Sequence, residues 1–187
     1  NVVNVGISKL SNNLLSGDVD GDFVINCSGD HNVLFGQNDA IAAKIDTDGD
    51  FNLNRKFTIT ADADASYEGD VVYFGGTTTI KGRIYHYKSD GTWELANPNA
   101  VTTSDGLLAV SLGTASDTNG MLLRGMVTLD HDPGAVGDVL YLDEQQVADG
   151  TDGTSRYGAA TDGAPAGNND IVRVIGYCLH ASNGQIW

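Results

Sequence analysis

Several kinds of residue are scarce in this 187-residue sequence, and each shortage narrows the class of protein. Only three of the 25 acidic residues are Glu, which favours helix interiors, so a helical fold is disfavoured. Lys and Arg number only ten, and nucleic acid is therefore not expected as a partner, because phosphate binding needs clustered cations. No apolar run approaches the roughly 20 residues of a transmembrane helix, so we expect no membrane insertion.

Cysteine is scarce as well. Cys27 and Cys178 lie far apart in the sequence, and two cysteines do not make a disulfide framework. They form either one disulfide or two buried thiols, of which buried thiols are the more common outcome. The chain begins at Asn1 rather than Met, so we expect it to be a processed product or a fragment.

Turn-forming residues, in contrast, are abundant. The sequence contains 22 Asp and 24 Gly, and its hydrophobic fraction of 41% is ordinary for a folded domain. Short alternating apolar segments separated by these residues are typical of strands and tight turns. We therefore predict an all-β fold, in which N-terminal stacked short β segments are followed by a β-barrel or β-sandwich.

Residues 1–66 are predicted to be a β-rich shaft or assembly segment. The Ala-rich stretch Asp39–Ile45 permits a helical turn, although its neighbours favour a strand. Other predicted strands are Phe23–Ile25, Asn32–Phe35 and Lys56–Thr60. Such short strands leave backbone groups at sheet edges, and a partner chain can satisfy those groups by strand pairing.

This region contains an internal repeat. Asp18–Asn26 matches Asp46–Asn54 at a spacing of 28 residues. A repeat of this length indicates either stacked β units or two equivalent hairpins in one sheet.

Residues 67–187 are predicted to form the barrel or sandwich. The predicted strands are Val71–Phe74, Arg83–Tyr87, Leu107–Leu112, Met121–Leu129, Val139–Leu142 and Ile171–Leu179. Asp90-Gly91 predicts a tight hairpin, and Gly-Asp at 69–70 and at 137–138 predicts the same turn before two of the strands. Residues 143–170, which are rich in Gly, Asp and Ala, are predicted to be a long exposed loop.

The two Asp-rich repeats are candidate metal sites. Asp18, Asp20 and Asp22 in the first and Asp46, Asp48 and Asp50 in the second offer the carboxylate oxygens that calcium prefers. Neither repeat has the glycine and glutamate positions of an EF-hand loop, and Asp-Gly is also a strong hairpin signal. Plain turns and structural calcium shared by stacked subunits therefore both stay open.

No other motif indicates catalysis. The four histidines have no metal-ligand spacing, and His131, in the turn Asp130–Pro133, is the one histidine for which an acid–base role is conceivable. We predict no catalytic residue and no enzymatic activity. Most aromatic residues lie on or beside predicted strands, where they belong either to the core or to a subunit interface. A carbohydrate platform, formed by exposed aromatic residues together with the 143–170 loop, is the alternative.

Two stretches resemble phage virion proteins. Ala42–Phe51 resembles a segment common in the shafts of phage tail fibres. Segments Asp90–Ala96, Gly106–Gly113, Gly120–Val127, Gly137–Leu142 and Val174–Leu179 are similar to a C-terminal β module of fibre-like proteins of marine and freshwater tailed phages. The resemblance covers roughly residues 40–187 and implies a β-rich virion or filament subunit, which in fibres is usually homotrimeric. It implies no catalytic residues.

Together these features predict a non-enzymatic, self-assembling subunit of a phage-type fibre, decoration layer or extracellular filament, located in the virion or outside the cell. Its partners would be copies of itself, in a homotrimer or a helical filament. The alternative is a host-glycan-binding module of a phage receptor-binding protein. An exposed cluster of Trp93 with Tyr85 or Tyr87 would favour that alternative, and burial of those rings would count against it.

Overall fold

The computed structural model describes residues 3–7, 23–27, 32–37, 40–53, 63–148 and 153–187. In these residues the regular structure is antiparallel β, apart from two short 3-10 turns at Val101–Thr103 and Ala181–Asn183, so the predicted all-β fold is confirmed. The same residues include no helix that is long and apolar enough to span a membrane.

The chain divides into two compact units, Asn1–Lys56 and Phe57–Trp187. This boundary lies before the predicted one at 66/67. The reason is that Ala65 donates a 2.8 Å backbone hydrogen bond to Thr128, and Thr128 donates a 2.9 Å bond to Ser66. These bonds tie the segment before the first strand of the second unit to that unit.

The first unit contains two small antiparallel sheets. Strands β1 (Val3–Ile7) and β2 (Phe23–Cys27) form one sheet, and β3 (Val33–Gln37), β4 (Ala40–Ile45) and β5 (Phe51–Leu53) form the other. The Ala-rich stretch is a strand rather than a helical turn. The predicted strand Lys56–Thr60 lies outside the described residues.

The 28-residue repeat produces the same local feature twice. In each copy a strand begins directly after Asp-Gly-Asp, β2 at Phe23 and β5 at Phe51. However, β2 pairs with β1 whereas β5 pairs with β4, so the two strands belong to different sheets. The alternative of two equivalent hairpins in one sheet was therefore wrong, and the stacking of the repeats stays a prediction.

The second unit contains eleven strands among its described residues. They are β6 (Tyr67–Val72), β7 (Ile84–Tyr87), β8 (Trp93–Leu95), β9 (Leu108–Ser111), β10 (Met121–Thr128), β11 (Val139–Leu142), β12 (Val147–Ala148), β13 (Ser155–Arg156), β14 (Ala160–Thr161), β15 (Val174–His180) and β16 (Gln185–Ile186). Nine of them form one antiparallel sheet in the order β14-β11-β15-β16-β10-β9-β7-β8, with β6 on the other side of β10. The sheet curls into a half-barrel.

The core of the second unit lies on the inner face of this sheet. In β11, Leu140 and Leu142 are completely buried while Val139 and Tyr141 are only half-buried, which is the two-residue alternation of a strand. Full burial of a side chain of this size contributes about 1.5–3 kcal/mol. Leu129, Val127 and Ile186 complete this part of the core.

The predicted Asp90-Gly91 hairpin is confirmed. Tyr87 pairs with Trp93, and the backbone N–H of Lys88 donates to Thr92 at 2.9 Å. Gly91 adopts a φ of 84°, which a residue with a side chain rarely adopts.

The two Gly-Asp sequences behave differently from each other. Gly137-Asp138 forms a turn before β11, as predicted, with Asp138 N–H donating to Ala135. Gly69-Asp70, in contrast, lies inside β6, and the predicted turn was wrong. A Cβ at Gly69 would overlap the carbonyl oxygen of Arg124, so glycine is required there because two backbones approach closely and not because the chain turns.

Strand β10 pairs with three other strands of the second unit, and its two edges are paired unequally. Along one edge it pairs with β6 from Met121 to Val127, with a bulge at residue 123. Along the other edge it pairs with β9 only at 121–122 and with β16 only at 127–128. In the described part of the chain no strand pairs with residues 123–126 on that edge, so the sheet splits there.

Residues 143–170 differ from the predicted exposed loop. The described part of this segment contributes β12, β13 and β14, and β14 pairs with β11. Ala159 and Ala160 are buried, and Gly158 both accepts a hydrogen bond from Ile84 and donates one to Ala96. Because small residues allow close backbone approach, a segment without large apolar side chains packs against the sheet.

Candidate functional site

Asp46 closes the hairpin between β4 and β5. Its Oδ1 accepts backbone hydrogen bonds from Asp48 at 3.2 Å and Asp50 at 3.0 Å, and its Oδ2 accepts from Asn52 Nδ2 at 2.7 Å. The bond from the Asp50 backbone is the main reason why the pKa of Asp46 lies below its ordinary value. Asp46 therefore acts in the manner of an Asx turn, which is the plain-turn alternative for this repeat.

The described residues of the second Asp repeat do not by themselves form a cluster of metal ligands. Asp48 and Asp50 are exposed, and the carboxylate of Asp46 already accepts three N–H bonds. Among the described residues no three His, Cys, Asp or Glu side chains lie close enough to hold a metal ion. Asp18, Asp20 and Asp22 lie outside those residues, so calcium shared between repeats or subunits stays a prediction.

A buried ion pair holds the second unit together. Arg83 is fully buried, and its Nε donates to Oδ2 of Asp130. Its two Nη groups donate to the backbone oxygens of Arg156 at 3.1 Å and Val147 at 3.0 Å. Arg83 thereby connects the start of β7 with β12 and β13, and its five-donor guanidinium suits a site where several carbonyl groups need partners.

His131 extends this network and has a structural role. Its Nδ1 lies 2.7 Å from Oδ1 of Asp130, and the backbone N–H of Ala160 donates to Nε2 at 2.9 Å. Because an N–H group can only donate, Nε2 is the unprotonated nitrogen and Nδ1 carries the proton. Both ring nitrogens of His131 therefore have hydrogen-bond partners within the fold.

Sequence reasoning did not identify Arg83 as important. The available signal was an arginine at the start of a predicted strand, where the side chain is either exposed or buried with a partner. Asp130 is 47 residues away, and no local pattern predicts that contact.

The aromatic residues around Trp93 form a second core cluster. Trp93 is only 3% exposed, and its ring lies 5.6 Å from that of Phe74 and 4.9 Å from that of Tyr87. Its Nε1 donates to the backbone oxygen of Phe74 at 2.9 Å. Tyr85 is buried too, and burial raises its pKa. Trp93 and Tyr85 therefore present no exposed ring face to a sugar, whereas Tyr87 is half-buried.

The sheet β3–β5 carries an apolar face whose phenylalanine side chains are exposed in the described part of the chain. The register places Val33, Phe35, Ala43, Ile45 and Phe51 on this face, whereas the opposite face carries Leu34, Lys44 and Asn52. Phe51 is 61% exposed and Phe35 is 43% exposed, and only Ala43 is buried. We call this surface the β3–β5 apolar face.

A groove on the second unit is a further exposed apolar surface among the described residues. It has a volume of about 450 Å³ and lies beside residues 123–126, where β10 lacks a strand partner. Its floor is formed by the core residues Val110, Leu122, Val127 and Ile186. Its walls include the exposed residues Val174, Tyr177 and Trp187, and Arg124 and Arg173 also line it. We call it the β10 groove.

No protein-family model, curated protein or solved structure matches the chain. We therefore base the functional proposal on the two exposed surfaces, the β3–β5 apolar face and the β10 groove.

Proposed function

We propose that the chain is a non-enzymatic structural subunit that assembles with copies of itself into a phage-type fibre, decoration layer or extracellular filament. The observation that supports this proposal is the uncovered β3–β5 apolar face. Phe35 and Phe51 stand exposed on it, next to the half-buried Val33 and Ile45. An apolar surface of this kind is characteristic of a protein–protein interface.

Assembly through this face is energetically favourable because a small sheet is not stable by itself. Three strands become stable when one apolar face is covered, and this sheet covers little of its face with its own residues. Complete burial of each phenylalanine would contribute about 1.5–3 kcal/mol. A second copy of the chain is the simplest partner that could cover this face, because it is present wherever the chain itself is present.

The proposal includes no catalytic residue. Asp130 and His131 are used by Arg83 and by the backbone of Ala160, which supports a structural role for the one histidine that the sequence had suggested for chemistry. We place the assembly in the virion or outside the cell, as the resemblance to phage fibre proteins implies, with a homotrimer or a helical filament as its form.

We do not extend the proposal to host-glycan binding. An exposed cluster of Trp93 with Tyr85 or Tyr87 would have favoured it, and Trp93 and Tyr85 are buried.

The experiment that tests the proposal measures the mass and shape of the purified chain by light scattering and negative-stain electron microscopy. Trimers, larger closed particles or filaments would support self-assembly. A chain that remains monomeric at all accessible concentrations would contradict it. Repeating the measurement with a calcium chelator tests whether the Asp repeats contribute a cation.

A matched pair of variants assigns the assembly to the β3–β5 apolar face. Phe51→Asp places a charge on this face, whereas Leu34→Asp places one beside Lys44 on the opposite face of the same sheet. We expect Phe51→Asp to weaken assembly and Leu34→Asp to leave it close to that of the unmodified chain. Equal effects of the two substitutions would show that assembly does not depend on the β3–β5 apolar face.

A further inference from the structure

The partner surface for the β3–β5 apolar face can be identified on the second unit. The β10 groove is apolar at its floor, with a volume of about 450 Å³, and such a concave surface accommodates one or two large apolar side chains. It is also a place where residues 123–126 of β10 have no strand partner in the described part of the chain, so backbone groups face the groove as well.

The charge of the groove is unusual for this chain. Arg124 and Arg173 lie along it, although the whole sequence has only ten basic residues and a net charge of −15. The guanidinium of Arg124 extends into solvent, with Asp70 3.5 Å away. Arg173 is held in place by its Nη1, which donates to the carbonyl oxygen of Ser104 at 2.6 Å. Two copies of such an acidic protein repel each other unless opposite charges meet at the contact.

We propose that the β10 groove binds the β4–β5 hairpin of a second copy, with Phe51 inserted between the apolar walls and the carboxylates of Asp48 and Asp50 facing Arg124 and Arg173. This inference rests on the proposed self-assembly and names the two surfaces that meet. Phe51 is the most exposed residue of the β3–β5 apolar face, and it directly follows the acidic turn. The hairpin therefore offers an apolar side chain that suits the floor of the groove and carboxylates that suit its two arginines.

The acidic turn favours this hairpin over the β3 edge of the same sheet. Asp48 and Asp50 are exposed, and the hydrogen bonds to Asp46 fix the conformation of the turn. Leu34 and Phe35 of β3 also expose apolar side chains, but β3 includes no acidic residue. A wholly apolar partner would add no opposite charge beside Arg173, which donates to backbone carbonyl groups, or beside Arg124, which has Asp70 nearby.

This contact joins two different surfaces, one from each unit. A contact between unlike surfaces is heterologous, so each subunit bound through its hairpin still offers a vacant groove to the next. Such contacts close into a ring, as in a trimer, or continue as a filament. A face-to-face contact between two β3–β5 apolar faces would instead stop at a dimer.

The test uses two complementary full-length variants. Val174→Glu introduces a charge in the groove and leaves the hairpin intact, whereas Phe51→Asp disables the hairpin and leaves the groove intact. We expect each variant alone to self-associate about 30-fold more weakly than the unmodified chain, as for a central interface residue. Mixed in equal amounts, the variants should form dimers and nothing larger, since only one working hairpin and one working groove remain.

The control for the groove variant is Val101→Glu, because Val101 is 56% exposed and Val174 is 57% exposed, and Val101 does not line the groove. It should assemble like the unmodified chain. Circular dichroism and thermal unfolding of all variants verify that they fold. A second groove variant, Arg124→Glu, should weaken assembly about tenfold at low salt and less at high salt, as expected for a charge at the edge of a contact.

The outcomes separate this inference from the function on which it rests. If the unmodified chain is monomeric, both fail. If it assembles, and Phe51→Asp disrupts assembly while Val174→Glu does not, self-assembly stands and the groove is the wrong partner. If both variants are monomeric but their mixture forms no dimer, the two surfaces do not bind each other and the inference is wrong.

Discussion

The two units of this protein use the same elements in different ways. Both are antiparallel β, and both contain a tight turn in which an Asp side chain accepts hydrogen bonds from the backbone, at Asp46 in the first and at Asp90 in the second. The second unit curls its sheet and buries its apolar side chains against one another, whereas the β3–β5 sheet of the first unit leaves Phe51 exposed.

The difference between the units shows that strand content does not decide whether a β structure is self-sufficient. What decides it is whether the chain supplies a second layer. In the second unit the curled sheet covers its own inner face, so that Leu140 and Ile186 pack in one core with residues of β9 and β10. In the first unit the described residues of the β3–β5 sheet show no such layer, and we propose that another copy provides it.

The largest effect should come from removing matched aromatic residues in the two units. Trp93→Ala should lower the free energy of unfolding of the second unit by about 3–5 kcal/mol, because it leaves a cavity under Phe74 and Tyr87. Phe51→Ala should change the unfolding of the separated subunits little and should instead weaken assembly. Urea unfolding followed by circular dichroism, with light scattering for assembly, distinguishes the two effects. A large loss of subunit stability in Phe51→Ala would remove the contrast between the units.

The next largest effect should come from the buried ion pair. Asp130→Asn keeps the shape of the side chain but leaves Arg83 as an uncompensated buried charge, which should cost about 3 kcal/mol. Asp105→Ala is the control, because Asp105 is exposed and should tolerate substitution within about 0.5 kcal/mol. Equal midpoints of urea unfolding for the two variants would show that Arg83 does not depend on Asp130.

A smaller effect is expected at the turn of the first unit. Asp46→Ala removes the acceptor of the Asp48 and Asp50 amides and should make their hydrogen exchange roughly tenfold faster. Asp48→Ala leaves that acceptor in place and should change exchange at Asp50 little. If the two substitutions have the same effect, the turn does not depend on the side chain of Asp46.

The smallest effect concerns the turn of the second unit. Hydrogen bonds from Thr92, and then from Lys88, lower the pKa of Asp90 to about 2. Thr92→Val should raise this pKa towards the ordinary value of about 3.9, and Thr118→Val should not change it. Because the folded pKa lies below the unfolded one, the contribution of Asp90 to stability is present above the unfolded value and is lost as the pH falls through about 2. Carboxyl titration by NMR measures both variants.

The sequence predicted those elements in which local pattern and tertiary structure agree. Strand Val139–Leu142 was predicted with its observed bounds, because its alternation is clear and Gly137-Asp138 forms a genuine turn before it. The same reasoning failed at Gly69-Asp70. At that position glycine is required because the backbone of β6 lies close to Gly125 on β10. A contact between segments that are distant in sequence produces no local sequence pattern from which it could be predicted.

The candidate surfaces were less predictable than the strands. The Asp46–Asp50 turn was predicted from its Asp-Gly sequence, and the assembly role of the first region stays a prediction. The β10 groove did not, because it results from the unequal pairing of one strand with three others. The packing of residues 143–170 was also missed, since Ala159 and Ala160 have little apolar surface to indicate a buried segment.

The position of Arg83 has a consequence for synthesis of the chain. Its partners Asp130 and the backbone of Arg156 follow it by 47 and 73 residues, so an emerging polypeptide must wait for most of the second unit before this charge can be buried. The hairpins of the first unit join strands that are close in sequence and can form earlier. During translation the apolar hairpins are therefore available before the surfaces that would cover them, and nascent chains on neighbouring ribosomes would be the most exposed to premature association.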